Sequence, residues 1–162
     1  MSSSRPQAQR TPSDGAGFSI TVRIGSRLDQ IRMVRAAFSG VLHHLEVQEF
    51  DVHLLDIAVA EILNNRLEHA YKGNEHEQIE VRIQVHGSDV QVDILDHAPP
   101  FPEEEQYRLD SAADNLEDPS EEWPMRGHGL QIVRRIVDSI AFSTQDNCNC
   151  ITLKKTVTLQ RN

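Results

Sequence analysis

Two strictly alternating apolar runs, separated by a short polar gap, constrain this chain more than any other feature of its sequence. The runs cover residues 79–85 and 90–94, and every second position in each is Ile or Val. Such period-two alternation is typical of strands with one buried face. The intervening segment, 86–89, contains Gly87 and suits a tight turn. The sequence therefore predicts an antiparallel hairpin against which the rest of the chain must pack.

Other segments have the periodicity of helices and further strands. We expect a strand over residues 18–24, helices over 28–45, 51–72 and 130–140, and strands over 142–144 and 151–159. In the helical segments apolar residues recur at steps of three and four, which places them on one face. Strands grouped into hairpins, with helices able to cover one face, predict a two-layer α+β sandwich rather than alternating βαβ units.

The chain of 162 residues is predicted to hold one folded domain, over residues 18–158. Residues 1–17 are rich in Ser, Pro and Gly and contain hardly any large apolar side chain, so we expect a flexible tail. Residues 102–126 begin after a Pro-rich turn and are dominated by Asp and Glu. This segment is predicted to be a long acidic loop.

The charge balance narrows the possible partners. With 25 acidic and 16 basic residues the formal net charge is −9, the wrong sign for binding a phosphate backbone, so nucleic acid is not expected as a partner. No apolar run reaches the roughly 18 residues of a membrane span, and the N-terminus lacks the apolar core of a secretory signal. We therefore expect a cytoplasmic protein without membrane association. In that compartment the two cysteines, Cys148 and Cys150, are expected to be reduced thiols.

Glu61 and Asn65 are the first candidates for chemistry. They lie four residues apart in the second predicted helix, so their side chains project from one face about a turn apart. A carboxylate and a carboxamide oxygen suit Mg²⁺, which takes oxygen ligands and bridges substrate phosphates. The alternative is a small helix-stabilising contact between the two side chains, which would need no ligand.

Two further segments could bind a ligand. Asp96 stands where an apolar strand meets an irregular Pro-Pro segment, a position suited to a binding carboxylate, although the same Asp could simply cap a turn. Residues 126–130, Arg-Gly-His-Gly-Leu, lead directly into a predicted helix, whose free backbone N–H groups could receive phosphate. The alternative is a flexible loop end, since neither a GxGxxG nor a Walker A sequence is present.

Together these segments resemble the motifs of the bacterial anti-sigma-factor serine kinases of the RsbW and SpoIIAB type, members of the GHKL ATPase superfamily. Residues 61–71, EILNNRLEHAY, resemble the N-box, with its ExxxN followed by HAY. Residues 96–101 resemble the first glycine box, DxGxPF, and residues 126–130 the second, GxGL. The resemblance covers about residues 18–157.

The resemblance implies a Bergerat-type, histidine-kinase-like ATPase fold, with a mixed, mostly antiparallel sheet, helices on one face, and residues 102–126 as a lid over ATP. It implies that Glu61 is the catalytic base or orients the nucleophile, that Asn65 holds Mg²⁺, and that Asp96 accepts a hydrogen bond from the adenine amine. The implied nucleotide-binding set is Asn65, Asp96, Ala98, Arg126, Gly127, His128, Gly129, Leu130 and Thr152. Within it the two glycines offer backbone to the phosphates, and Thr152 lies near adenine. Arg126 is the candidate γ-phosphate contact because it stands beside the glycines; the alternative is a simple surface arginine.

Members of this group phosphorylate a serine of an anti-anti-sigma protein of STAS fold and alternately hold a sigma factor, usually as dimers. The resemblance thus implies an ATP-dependent serine kinase with a STAS-domain partner, a sigma factor or other client, and a homodimeric state. One departure favours an alternative: Ala98 replaces the glycine of DxG, which should lower nucleotide affinity, so a binding-only regulator remains open. An ATPase module of a histidine kinase is disfavoured, because no phosphoacceptor helix precedes the domain in this sequence.

Overall fold

The computed structural model describes residues 17–72, 76–103, 106 and 129–160. Its elements are β1 (Phe18–Gly25), α1 (Leu28–His44), α2 (Glu49–Asn65), a π-helical turn that continues α2 (Arg66–Ala70), β2 (Gln78–His86), β3 (Asp89–Asp96), α3 (Gly129–Ile136), β4 (Ser139–Gln145) and β5 (Cys148–Thr156). The predicted tail and most of the predicted acidic lid lie outside the described residues.

The described strands form one sheet in the order β1-β2-β3-β5-β4. All four pairings are antiparallel. The predicted hairpin is confirmed: His86 pairs with Asp89, and Gly87 in the turn has φ of 59°, a conformation that favours glycine. Because β3 lies between β2 and β5, its C-terminal residue, Asp96, sits inside the sheet and not at an edge.

The helices cover one face of the sheet. The largest fully buried side chains are Phe38, Ile31, Leu42, Leu55, Ile62, Leu63, Ile79, Ile83, Ile94, Ile151, Leu153 and Val34. They come from α1, α2 and the three central strands, so one mainly aliphatic core fills the space between the two layers. The predicted two-layer α+β fold is confirmed. No helix among the described residues is long and apolar enough to cross a membrane.

Two boundaries near the C-terminus differ from the predictions. The helix expected to reach Ile140 ends at Ile136, and Ile140 instead pairs with Leu153 in the sheet. The change occurs at Asp138, whose N–H donates to a β5 carbonyl at 2.8 Å, so the chain has already joined the sheet there. An Ile at this point satisfies helical and strand periodicity alike, which is why sequence alone misplaced it. β5 also ends at residue 156 and does not continue to 159.

The end of α2 is irregular. The predicted helix does continue past Asn65, but as a π-helical turn in which the Tyr71 N–H donates to the Arg66 carbonyl at 3.1 Å. Such a turn widens the helix and changes the direction of the side chains that follow, and it is frequent at functional sites. Its first residue, Arg66, is only 2% exposed.

Candidate functional site

Glu61 and Asn65 lie one turn apart near the end of α2, as predicted. Both are partly exposed, and neither side chain forms a hydrogen bond with another residue in the described part of the chain. Residues four apart in an α-helix project from the same face. The two side chains therefore present free oxygen ligands on one surface.

Gly129, the first residue of α3, lies directly against Glu61. A Cβ atom at position 129 would meet the end of the Glu61 side chain, which would have to turn aside, so glycine favours this close approach. The first backbone N–H groups of a helix lack partners within that helix and can receive an anion. The fold thus brings together three predicted residues, Glu61, Asn65 and Gly129, which we call the open end of the site.

A cation that the sequence analysis did not single out lies near the open end. Arg35 in α1 binds Asp56 in α2 through two hydrogen bonds, Nε–Oδ1 at 2.9 Å and Nη2–Oδ2 at 2.6 Å. The Asp56 carboxylate raises the pKa of Arg35, and the negative charge of Glu61 adds to this effect. Arg35 is therefore a fixed positive charge within electrostatic reach of Glu61.

The Asp96 carboxylate, in contrast, is buried in an ion pair with Arg66. Arg66 donates from Nε to Oδ2 at 2.6 Å and from Nη2 to Oδ1 at 2.7 Å. The same Nη2 donates to the Pro99 carbonyl at 3.0 Å. The Arg66 and Asp96 side chains are only 3% and 1% exposed. This two-pronged geometry is the strongest form of the Arg–carboxylate contact.

Two more groups complete the surroundings of Asp96. The Asn149 Nδ2 donates to Asp96 Oδ1 at 3.0 Å and to the Ala98 carbonyl at 2.5 Å, and the Ala98 N–H donates to the same Oδ1 at 3.0 Å. Asp96 thus accepts four hydrogen bonds, two from Arg66 and one each from Asn149 and Ala98. We call Asp96, Arg66, Asn149 and Ala98 the closed end of the site.

The turn at Ala98 is not strained by the side chain that replaces glycine. Ala98 is absent from the described non-glycine residues with positive φ. Its N–H bond to the Asp96 side chain two residues earlier is the usual Asx-turn contact, which any residue can make. The alternative of Asp96 as a turn cap is therefore realised, and Ala98 packs in the core at 9% exposure.

Thr152 is not brought to Asp96, which corrects the position expected for it. In β5 the buried residues are Asn149, Ile151 and Leu153, so Thr152 points to the opposite face of the sheet. There its hydroxyl donates to Asp93 at 2.7 Å. The β5 residue that reaches Asp96 is Asn149.

The second glycine box is described only from Gly129 onward. Arg126, Gly127 and His128 lie outside the described residues, so their assigned roles stay predictions. Leu130 is 9% exposed and belongs to the apolar core. Its side chain anchors α3 to the core, while the backbone before it faces Glu61.

Tyr71 ends the HAY motif beside the closed end. Its hydroxyl is the one buried side-chain polar atom of the described residues that has no hydrogen-bond partner. Burial raises the pKa of Tyr71 strongly, and the nearby negative charge of Asp96 raises it further. The phenol therefore stays neutral at physiological pH.

Sequence reasoning missed Arg66 and Asn149. The sequence did indicate that Asp96 needs a partner, because a carboxylate at the end of a buried strand must be paired. Arg66 is the only Arg or Lys in residues 49–71, which makes it a candidate for such a pair. Asn149 is directly opposite Asp96 in the β3–β5 register, and that register became known only from the fold.

Residues 24–155 match the family described as the histidine kinase-like ATPase domain. The chain belongs to this family. Among curated proteins, the serine-protein kinase RsbW of Oceanobacillus iheyensis is 22% identical over 126 residues, which cover 78% of this chain and 79% of that protein. RsbW of Listeria monocytogenes is 23% identical over 135 residues, which cover 83% and 85%. The predicted resemblance to RsbW-type proteins is confirmed.

Solved structures agree on the fold of this histidine kinase-like ATPase domain. The SiaB–SiaC complex from Pseudomonas aeruginosa matches with a TM-score of 0.62 at 18% identity, over 86% of this chain and 88% of that one. The RsbU and RsbW domains of Rv1364c from Mycobacterium tuberculosis match with a TM-score of 0.59 at 15% identity. That match covers 91% of this chain but only 34% of the larger protein.

The two ends of the site differ in how well they fit the Mg-nucleotide that an ATPase family implies. At the open end Glu61 and Asn65 offer oxygen ligands that have no hydrogen-bond partner among the described residues, and the Glu61 side chain lies against Gly129 at the start of α3. This end fits Mg²⁺ and phosphate. At the closed end Asp96 Oδ1 accepts three hydrogen bonds and Oδ2 accepts one, all from the protein, and the side chain is only 1% exposed. That carboxylate does not fit the role of an acceptor for an adenine amine.

Proposed function

We propose that this histidine kinase-like ATPase domain is an ATP-dependent protein-serine kinase that works as a partner switch. The observation that carries the proposal is the contact between Glu61 and Gly129, which joins the N-box to the start of α3 at one point. The RsbW-type relatives, named serine-protein kinases, support the same class of enzyme.

In this proposal Asn65 and Glu61 of the open end have separate roles. Asn65 holds Mg²⁺, and ATP supplies the phosphoryl group. Glu61 accepts the proton of the substrate serine hydroxyl. The serine oxygen forms the bond to the γ-phosphorus of ATP as ADP departs. Phosphoryl transfer depends mainly on positioning and on electrostatic stabilisation. Arg35, held by Asp56, adds positive charge on the same side.

The proposed partners follow from the same resemblance. The substrate is a serine of a STAS-domain anti-anti-sigma protein, and the client held in alternation is a sigma factor or another protein. The likeness in fold to the SiaB–SiaC complex and to the RsbU and RsbW domains supports a partner-switching role. We propose a homodimer as the working state.

A binding-only regulator is the second candidate, and a specific observation favours it. The Asp96 carboxylate is enclosed by Arg66 and Asn149, so one contact expected for ATP is taken by the protein itself. Such a protein would hold its partner through its surface and transfer no phosphate.

Transfer of labelled phosphate from Mg-ATP to the STAS-domain protein encoded nearest to this gene separates the two candidates. We expect transfer by the wild type and its loss in Glu61→Ala and in Asn65→Ala. Matched controls lie on the same helical segment: Glu68→Ala removes an exposed carboxylate, and Asn64→Ala removes the neighbouring amide. Both controls should keep activity.

Either result is informative. Transfer that survives in the control variants and vanishes in the two test variants supports the kinase. Tight binding of the STAS-domain protein with no transfer by the wild type would contradict it and would favour the binding-only regulator.

A further inference from the structure

Arg66 changes what the closed end can recognise. A carboxylate offers about four lone-pair positions for hydrogen bonds. Asp96 already accepts four: two from Arg66, one from Asn149 and one from the Ala98 N–H. Three of these bonds fall on Oδ1 and one, from Arg66 Nε, falls on Oδ2. Because the Asp96 side chain is only 1% exposed, the remaining position on Oδ2 is not open to a base in this structure.

A neutral amine cannot displace this guanidinium easily. The Arg66–Asp96 bonds are charge-assisted and two-pronged, and such bonds are about twice as strong as those from a neutral donor. Both side chains are almost fully buried, and removing Arg66 from Asp96 would leave each of two buried charges without an opposite charge beside it. Arg66 is also held by the Pro99 carbonyl.

The position of Arg66 is fixed by the backbone as well. It is the first residue of the π-helical turn, directly after Asn65 of the open end. Asn65, the proposed Mg²⁺ ligand, and Arg66, which encloses Asp96, are therefore consecutive residues of one helical segment. The same local distortion can leave the open end free and fill the closed end.

We propose that Arg66 is the residue that sets base specificity, by withdrawing Asp96 from recognition of the purine 6-amino group. The site then selects Mg²⁺ and a triphosphate but does not distinguish adenine by its amine. This inference rests on the proposed function, because it requires that the open end binds a nucleoside triphosphate.

The test compares ATP with purine riboside 5′-triphosphate, which is ATP without the 6-amino group. Each competes with a fluorescent triphosphate for the full chain in the presence of Mg²⁺. For the wild type we expect the two dissociation constants to agree within about threefold, because the amine gains no hydrogen bond to a charged group. In Arg66→Leu, Asp96 is freed, and ATP should bind at least about tenfold more tightly than the analogue.

A control variant and a second test variant accompany the comparison of the two dissociation constants. Arg23→Leu removes an arginine that pairs with Glu80 on the polar side of the sheet, and it should leave the ratio of the two constants unchanged. Arg66→Gln keeps a polar side chain of similar length, and it should shift the ratio in the same direction as Arg66→Leu. The wild-type ratio needs no variant, so a folding defect in either one does not remove the test.

Three results would overturn the inference. A wild type that prefers ATP by about tenfold or more would show that the amine reaches Asp96, and kinase activity could still stand. A folded Arg66→Leu variant without preference would show that Asp96 does not read the base. If no triphosphate competes in any variant, the nucleotide site itself fails, and the proposed function fails with it.

Discussion

The open and closed ends of the candidate site meet at the end of α2, where Asn65 and Arg66 are consecutive, yet their carboxylates have opposite surroundings. Glu61 is partly exposed and has no hydrogen-bond partner among the described residues, whereas Asp96 is buried and accepts four hydrogen bonds. A buried, paired carboxylate cannot be removed without leaving its partner uncompensated, which lowers stability, whereas an unpaired carboxylate is available for a ligand. The comparison assigns stability mainly to the closed end and chemistry mainly to the open end.

Substitution of Asp96 should have the largest effect on folding. Asp96→Ala leaves Arg66 buried without its partner and should lower the free energy of unfolding by about 3–5 kcal/mol. Glu61→Ala, at the open end, should change it by less than about 0.5 kcal/mol. Urea unfolding monitored by circular dichroism measures both values. Equal losses for the two variants would remove the distinction between the two ends.

Gly129→Ala tests the close approach of α3 to Glu61. The added Cβ would meet the end of the flexible, partly exposed Glu61 side chain, which can turn aside, so the loss should stay below the ~1–3 kcal/mol typical of overpacking in a core. In a Glu61→Ala background most of that loss should disappear, which a double-mutant cycle would measure. Gly40→Ala is the matched control, since a Cβ there meets no atom within 4 Å, and this helical position should become slightly more stable. Additive losses at Gly129 and Glu61 would argue against the contact.

The two arginine pairs should respond differently to salt. Arg35–Asp56 is partly exposed, with side chains 37% and 17% exposed, and such pairs contribute about 0.2–1 kcal/mol, less in high salt. Arg66–Asp96 is buried and should be nearly insensitive to salt. Unfolding of Arg35→Ala and Arg66→Ala at low and high NaCl tests this contrast. The predicted contrast is wrong if the loss of unfolding free energy caused by Arg66→Ala decreases with salt as steeply as the loss caused by Arg35→Ala.

Tyr71→Phe should have the smallest effect near neutral pH. The Tyr71 hydroxyl has no partner, so its removal should change stability by less than about 0.5 kcal/mol. Burial, and then the charge of Asp96, raise the pKa of Tyr71 in the folded protein. The folded state therefore keeps its proton longer than the unfolded state, and stability falls as pH rises above about 10, the ordinary tyrosine pKa.

This alkaline loss should be absent from Tyr71→Phe. The chain contains two tyrosines, so Tyr107→Phe is the matched substitution against which Tyr71→Phe is compared. Urea unfolding at pH 8 and at pH 10.5 gives the comparison. Identical alkaline losses in wild type and Tyr71→Phe would mean that the phenol is not held in its neutral form by the fold.

The sequence correctly predicted features that depend on residue spacing within one segment. It did not predict contacts that depend on the register between strands. The hairpin, α1 and the Glu61–Asn65 pair follow from spacing within one segment, and the structure places them as expected. Asn149 and Thr152 are three residues apart in β5, so they lie on opposite faces, and only the register opposite β3 shows which one meets Asp96. Arg66 was missed as the partner of Asp96 because the direction of its side chain depends on the π-helical turn after α2, which is known only from the fold.

The central claim is that the open end binds a Mg-nucleotide through Asn65, and thermal unfolding with ADP tests it most directly. Ligand that binds only the folded state raises stability, by about 2.7 kcal/mol at a hundred times its dissociation constant. We predict that ADP with Mg²⁺ raises the unfolding temperature of the wild type and of Asn64→Ala, that EDTA removes the increase, and that Asn65→Ala shows none. No increase in the wild type, or the same increase in Asn65→Ala, would contradict the account.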